Sequence, residues 1–330
     1  MPQTTSEIWD SRWSSTRRTI DPKVIDNIFE PYNLTDKLRK SMKMVDGGGK
    51  EIQVILESSA GSAEAFDKYD PLSKSPRDPF ESAFYKRRYY AIPIVLSDTE
   101  EWENSGSEQI FDLLDALGTN AMNSLIKTIN EDLGGAQSGK SCLGLQDIVA
   151  DAGTGTVGGI NSATSTFWKN QMNNNGGGGN VTFLTQSTTN IFNGIQEFNE
   201  IGDAVRQQGG KTDMIFTTYS IAGAYRTALS SQGYVEMSAQ KVNGLKGEEF
   251  PGFYGASVVA DSDIGANRAY FIDKNALQLR VMKNANFKKT PFVSLQSNGQ
   301  LAQLSYLVAG IQLITNSRRR NGVHSALAGI

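Results

Sequence analysis

The sequence predicts an α+β fold, in which helices and strands occupy separate stretches of the chain. Three observations support this prediction: one long run of apolar residues at helical spacing, several short runs typical of strands, and no regular alternation of strand and helix. With 330 residues, of which 38% are hydrophobic and 20% are charged, the chain has the composition of a globular protein. It is long enough to bury one large core or two modest ones.

The charge balance and the scarcity of cysteine and histidine argue against several classes of function. Lys and Arg number 32 against 35 Asp and Glu, so the net charge of -3 lacks the basic excess of a dedicated nucleic-acid binder. The single cysteine, Cys142, cannot form an internal disulfide, and with the single histidine, His324, it supplies too few ligands for a zinc site. We therefore expect no metal and no cofactor.

The N-terminus gives no indication of a targeting segment. Its first residues are polar and mixed in charge, and no later stretch approaches the length of a membrane span. We expect a chain that is made in the cytoplasm and has no membrane partner.

Residues 1–44 are predicted to form an extended arm. Charged residues alternate there with isolated apolar anchors around Pro22 and Pro31, a pattern too broken for one helix. The anchors Trp9 and Trp13 need a surface on which to be buried. That surface belongs either to a neighbouring subunit or to the chain's own domain, and the sequence favours neither.

Two alternating patterns predict strands at residues 51–57 and 89–96. We expect the two strands to pair as a hairpin. The apolar residues that share one face are Ile52, Val54 and Leu56 in the first strand and Tyr90, Ile92, Ile94 and Leu96 in the second.

The segment between these strands, residues 58–84, exceeds the roughly 12–15 residues that structureless loops reach in compact domains. It is too aromatic for a flexible linker. A lone two-stranded projection is marginal in water, so we expect this ribbon to lie across another surface. Its large apolar residues are Phe66, Tyr69, Leu72, Phe80 and Phe84, and Tyr85 follows directly.

The clearest helix is predicted over residues 107–133. Ser105 and Glu108 form a capping-box pattern, apolar residues follow at helical spacing, and Gly134 and Gly135 end the run. At about 1.5 Å per residue this helix is about 40 Å long. It is expected to be a structural spine.

The rest of the chain mixes helices and strands. A second amphipathic helix runs from Ile191 and ends at Gly209 and Gly210, and a third is predicted over residues 219–231. The predicted strands cover residues 214–218, 269–273, 277–281 and 304–315.

The octet Gly134–Ser141, "GGAQSGKS", matches the phosphate-binding pattern G-x-x-x-x-G-K-[ST]. Such a loop requires a strand before it and a helix after it, whereas here a long helix precedes and a short, glycine-broken run follows. The octet is therefore interpreted as a helix terminator and loop. No histidine, cysteine or serine lies in a local catalytic motif, so we predict no catalytic residue and no enzyme.

The order of these parts resembles the major capsid proteins of tailed bacteriophages, which have the Hong Kong 97-type coat fold. Five stretches carry the resemblance, with Phe167 standing where a second tryptophan is expected beside Trp168. They are residues 78–97, "DPFESAFYKRRYYAIPIVLS"; 100–106, "EEWENSG"; 144–149, "GLQDIV"; 158–168, "GGINSATSTFW"; and 316–327, "NSRRRNGVHSAL".

The resemblance implies five structural parts along the chain and contacts between subunits. It implies inter-subunit contacts through Trp9, Trp13, Phe66, Tyr69, Phe80 and Phe84. The implied parts are an N-terminal arm (1–44), an extended β-ribbon loop (45–100), a peripheral domain with the spine helix (101–143), a mixed axial α/β domain (144–262) and closing strands shared by both domains (263–330).

The implied partners are copies of the chain itself, in pentamers and hexamers of an icosahedral shell, with portal and scaffolding proteins. Packaged DNA is contacted through phosphates, without base recognition. Arg318, Arg319 and Arg320 are candidates to face DNA or to form salt bridges. The implied location is the virion, with assembly in the host cytoplasm.

Two alternatives stay open at this point. One is a cellular nanocompartment shell with the same fold, and the other is a nucleotide-dependent enzyme that uses Lys140 of the octet.

Overall fold

A computed structural model describes residues 32–41, 43–61, 63–70, 78–103, 113–175, 179–183, 185, 193–231, 253–296 and 299–328. Trp9, Trp13 and the predicted capping box of Ser105 and Glu108 lie outside the described residues.

The described helices are α1 (Asn33–Ser41), α2 (Asp98–Glu103), α3 (Leu113–Gly134), α4 (Leu145–Ile148), α5 (Asn193–Gln207) and α6 (Tyr219–Ser231). The described strands are β1 (Lys43–Asp46), β2 (Glu51–Glu57), β3 (Phe80–Lys86), β4 (Arg88–Ser97), β5 (Thr156–Val157), β6 (Ile160–Asn161), β7 (Gln171–Asn173), β8 (Val181–Thr182), β9 (Met214–Thr217), β10 (Ser257–Ala260), β11 (Ala269–Ile272), β12 (Leu277–Met282), β13 (Lys288–Lys289), β14 (Val293–Ser294), β15 (Ala302–Thr315), β16 (Gly322–His324) and β17 (Leu327–Ala328). Three-residue 3-10 helices span Thr166–Trp168, Lys283–Ala285 and Arg318–Arg320.

A six-stranded sheet is organised around the long strand β15. β15 pairs antiparallel with β4, β12, β13 and β14, and β1 joins β12 in parallel at the edge. Helix α3 packs against this sheet, and its Leu125, Ile129 and Leu133 are buried in one cluster with residues of β4, β12 and β15. The helix is therefore the spine of this layer, as its apolar spacing predicted.

A five-stranded mixed sheet, in the order β10-β9-β11-β16-β7, forms the second layer. Phe198 of α5 is the centre of its aromatic core: its ring centroid lies 5.2 Å from that of Phe183, 5.3 Å from Tyr225 and 5.1 Å from Phe271. The edge-to-face and stacked arrangements of these rings bury large apolar areas on α5, α6 and β11 together.

The remaining element predictions agree with the structure within the described residues. Helix α3 ends at Gly134, as predicted, and helices α5 and α6 correspond to the two later helical patterns. The predicted strands are β9, β11, β12 and β15. The structure is a mixture of helix and sheet without a regular strand and helix repeat, which confirms the α+β prediction.

The predicted hairpin is wrong. β2 pairs with β3, whereas β4 pairs along its whole length with β15, from Arg88 opposite Ile311 to Ser97 opposite Ala302. Alternating apolar residues define the buried face of a strand but not its partner, because any strand with a matching face satisfies the same pattern.

The extended arm is also shorter than predicted. Residues Asn33–Ser41 form helix α1, whose Leu34 and Leu38 are fully buried, and Lys43–Asp46 pairs with β12. The start of α1 is held by a distant residue, since the Leu34 backbone N–H donates to Asp261 Oδ2 at 2.8 Å. No local pattern indicates this cap.

Within the described residues, the helices include none with the length and apolar character needed to cross a membrane.

Candidate assembly surface

The ribbon formed by β2 and β3 has two unlike faces. On the inner face the register places Ile52 opposite Tyr85 and Val54 opposite Ala83. Tyr85 is buried, and its hydroxyl donates to the Thr315 carbonyl at 2.8 Å. The inner face is therefore fixed to the end of β15.

The outer face exposes large apolar side chains. Ile55 is 70% exposed, Phe80 64% and Phe84 50%. Beyond the paired strands, Phe66 is 67% exposed and Tyr69 is 97% exposed. Grouped apolar side chains of this kind mark interaction sites. Four of the predicted contact residues thus lie free on the surface of the single chain, and their contact with another subunit stays a prediction.

The outward face of the six-stranded sheet carries further exposed apolar residues that the sequence analysis missed. Tyr89, Val95, Val293 and Tyr306 are all exposed, and the register places Tyr306 opposite Pro93. A signal was present, because "YYAIPIVL" is apolar on both faces. A strand with two apolar faces is expected to be covered on both sides.

A half-buried ion-pair cluster lies at the base of the ribbon. Asp46 on β1 forms ion pairs with Arg87 at 3.3 Å and with Arg280 at 2.8 Å. Arg87, which separates β3 from β4, also donates to the carbonyls of Gly48 and Gly49, both at 2.8 Å. These bonds fix the direction in which the ribbon leaves the sheet.

The turn between β5 and β6 supports the ribbon from the side. The Phe84 backbone N–H donates to the Gly158 carbonyl at 2.9 Å. Gly158 has a positive φ of 63°, and a Cβ there would lie 2.8 Å from that of Ala83, so only glycine fits. The buried indole of Trp168 donates to the Val157 carbonyl at 3.0 Å and holds the turn in place.

Arg318 corrects one of the sequence predictions. Its side chain is fully buried, so it faces no DNA, and no described carboxylate forms an ion pair with it. Burial lowers the pKa of its guanidinium to about 10. The guanidinium donates to uncharged acceptors: Ile148 O at 2.7 Å, Asn170 Oδ1 at 3.1 Å, Gly155 O at 3.3 Å, Ser162 Oγ at 3.4 Å and Asp147 O at 3.4 Å.

Arg319 is exposed and Arg320 is half-buried. Both line a cavity of about 480 Å³ between the ribbon and the loop around Trp168, together with Glu57 and Ser58. Neither arginine forms an ion pair with a described residue. Their roles toward DNA or a neighbouring carboxylate stay predictions.

The octet Gly134–Ser141 is a helix end and a tight loop, as interpreted from its context. Two of its amides already have acceptors: the Gln137 N–H donates to Asp147 Oδ2 of α4 at 2.6 Å, and the Ser138 N–H donates to Ser141 Oγ at 2.9 Å. A phosphate loop needs such N–H groups free to point at the ligand. Gly134 serves packing instead, because a Cβ there would lie 2.5 Å from the Asp263 carbonyl oxygen.

Cys142 lies in a polar cluster that joins α3, β4 and the octet loop. The Tyr90 hydroxyl donates to Asp132 Oδ2 at 2.6 Å and accepts from the Cys142 N–H at 2.9 Å. Burial raises the pKa of the Cys142 thiol to about 12, so the reactive thiolate is scarce at neutral pH. The described residues include no group of three or more His, Cys, Asp and Glu placed to hold a metal ion.

The fold was compared with known proteins. The sequence matches no protein-family model and no curated protein. Solved structures match over nearly the full length. A chain of the cyanophage A-1(L) capsid asymmetric unit has a TM-score of 0.67 and 16% identity, covering 94% of this chain and 96% of that one. A chain of the capsid of a native GTA particle has a TM-score of 0.67 and 11% identity, covering 99% and 100%.

This chain has the Hong Kong 97-type capsid fold. The same capsid fold relates it to the holo-SrpI encapsulin complex from Synechococcus elongatus PCC 7942, with a TM-score of 0.59 and 12% identity over 97% of this chain and 95% of that one. The strands β2 and β3, helix α3 and the five-stranded sheet are consistent with the ribbon, the spine helix and the mixed α/β layer of that fold.

Proposed function

We propose that the chain is the major capsid protein of a tailed bacteriophage and assembles into the icosahedral shell that encloses its double-stranded DNA. The observation that carries the proposal is the near-full-length match to capsid chains. The role is structural, and no catalytic residue is assigned.

The exposed surfaces of the single chain support assembly. The outer face of the ribbon and the outward face of the six-stranded sheet both expose large apolar residues, which are costly to leave in water. In a shell, many copies bury such surfaces against one another, and modest contacts add up because each subunit engages several neighbours.

The parts of the chain have separate tasks in this proposal. The arm (1–44) and the ribbon (45–100) reach neighbouring subunits. The peripheral domain consists of residues 101–143, and the axial domain, which meets at pentamer and hexamer centres, consists of residues 144–262. Residues 263–330 supply strands to both domains. Scaffolding and portal proteins take part in assembly in the host cytoplasm. The completed shell belongs to the virion and touches packaged DNA only through phosphates.

A second candidate function is a cellular nanocompartment shell, because the encapsulin match also spans nearly the whole chain. The two functions differ in contents. Shells purified from the native source contain double-stranded DNA in the first case and a protein cargo in the second, and nuclease-protected DNA measured after purification separates them.

The ribbon rings provide a direct test of the assembly surface. The double variant Phe66→Ser/Tyr69→Ser removes two exposed rings, so we expect a folded subunit that fails to close shells. Lys68→Ser, an exposed change in the same loop, is the matched control and is expected to assemble. Light scattering after size-exclusion chromatography measures both. Normal shells from the double variant would refute a role for these rings.

A further inference from the structure

His324 is the only histidine of the chain, and it is fully buried on β16. Its Nδ1 accepts the Ala326 backbone N–H at 3.2 Å, and its Nε2 lies 3.2 Å from Glu197 Oε2. A backbone N–H can only donate, so Nδ1 carries no proton. The ring is therefore the neutral tautomer, with its proton on Nε2 and donated to Glu197. Asn173 Nδ2 donates to the same carboxylate.

The charged side chains that act on His324 lie on helix α5. Helix α5 presents Glu197 and Glu200, whereas Ala269 on β11 and Asn173 on β7, the two register partners of His324, are uncharged. Arg268, next to Ala269, is paired with Asp151 at 2.7 Å. Burial outweighs the attraction of the two glutamates and lowers the pKa of His324 from its usual value.

The residues after His324 are bonded to this ring and to the strands and loop beside it: the Ser325 N–H donates to Asn173 O and the Leu327 N–H to Asn267 O, both at 3.0 Å. Val181 N–H donates to the Ala326 carbonyl at 2.7 Å, and β17 then pairs with β8. Leu327 is fully buried in the aromatic cluster around Phe198. The bond from the Ala326 N–H to His324 thus lies at the turn from which the segment Ser325–Ala328 enters the core.

We propose that His324 is a pH-sensitive latch that holds the segment Ser325–Ala328 closed while its ring is neutral and releases it when the ring is protonated. A proton on Nδ1 places an N–H against the Ala326 N–H and removes that amide's acceptor. Opening brings water to both groups. One proton is taken up from solvent, and no bond other than hydrogen bonds changes.

The direction of the pH dependence follows from the two states. In the closed segment the pKa of His324 is lowered by burial, and we expect the ring to regain its ordinary pKa of about 6.5 once opening admits water to it. The free energy needed to open the segment is greatest above about pH 6.5. As the pH falls below that value, the opening equilibrium rises about tenfold per pH unit until the pH reaches the closed-state pKa, where the dependence levels off.

Nuclear magnetic resonance of full-length protein with isotope-labelled histidine tests the latch, because a single ring gives an unambiguous resonance. At pH 7.5 we expect the tautomer protonated at Nε2, and a titration midpoint below that of the urea-unfolded chain. Hydrogen exchange measured in parallel should show protection of residues 325–328 falling about tenfold per pH unit in that window. A ring protonated at Nδ1, or a midpoint at or above the unfolded value, would overturn the proposal.

Two variants separate the latch from general effects of acid. His324→Asn places an oxygen near the position of Nδ1 and cannot titrate, so the pH dependence at residues 325–328 should disappear. Glu197→Gln keeps an acceptor for Nε2 but removes the charge, so the closed-state pKa of His324 should fall and the rise in opening should continue to lower pH before it levels off. The same loss of protection in His324→Asn as in the wild type would contradict the latch. None of these measurements depends on shell formation, so the proposed function is tested independently.

Discussion

Arg318 shows how one buried side chain can organise a region with little regular structure. Its five donor contacts reach the end of α4, the glycine-rich turn at Gly155, the loop at Ser162 and the residue before β7. A guanidinium is suited to this task because it offers five N–H groups in a fixed plane. The ribbon depends on the same region, since Gly158 and Trp168 lie within it.

Arg318→Ala should therefore lower the free energy of unfolding by about 3 kcal/mol or more, because several buried acceptors lose their donor. Arg319→Ala, at the exposed neighbour, is the matched control and should stay within about 0.5 kcal/mol of the wild type. Urea unfolding of unassembled subunits measures both. Equal effects in the two variants would contradict the structural role of Arg318.

At the scale of single residues, Cys142 gives a second prediction. Because its thiol is buried and its pKa is raised to about 12, the reactive thiolate is depleted across the usual pH range and becomes populated only as the pH approaches 12. We expect no reaction with a chromogenic disulfide reagent at pH 8 in the folded protein and one reactive thiol per chain in urea. Fast modification of the folded protein would show that the site is open.

At the scale of elements, helix α3 and its terminator test the interpretation of the octet. Gly134→Ala should destabilise the protein by about 1–3 kcal/mol, because the new Cβ meets the rigid backbone at Asp263. Gly118→Ala in the same helix meets no atom within 4 Å and should stabilise it by up to about 1 kcal/mol. Thermal unfolding compares the two. A neutral Gly134→Ala would remove the packing reason for this glycine.

Lys140→Ala separates the loop from a nucleotide site. Lys140 lies in a turn where the Gln137 and Ser138 amides already have acceptors, Asp147 Oδ2 and Ser141 Oγ. The variant should match the wild type in stability and assembly, and calorimetry with ATP and magnesium should detect no binding in either protein. Binding that is lost in Lys140→Ala would revive the nucleotide hypothesis.

Local patterns predicted most elements but not their partners. The spacing of Leu125, Ile129 and Leu133 located the spine helix, and alternation located β2 and β4. The pairing of β4 with β15, across more than 200 residues of sequence, has no local signature. Arg318 was misassigned for the same reason, since the carbonyls that surround it come from residues 147–170. The exposure of Phe66 and Tyr69 was foreseeable, because isolated rings in a polar loop have no local core.

At the scale of the whole molecule, the proposed function predicts that the ribbon serves assembly more than the stability of its own subunit. A deletion that tests this role must leave strand β3 in place, because its Ala83 and Tyr85 are buried in the core. Removing residues 60–77 leaves both strands intact and is expected to give a folded subunit that forms no closed shell. Circular dichroism and light scattering together check this expectation. A deletion variant that forms normal shells would place the essential contacts elsewhere.

The central claim is that this chain builds a shell, and negative-stain electron microscopy of the purified recombinant protein, alone and with a candidate scaffolding protein, tests it most directly. Our account predicts closed shells, tubes, or rings of five and six subunits. Uniform monomers or dimers under both conditions would contradict it.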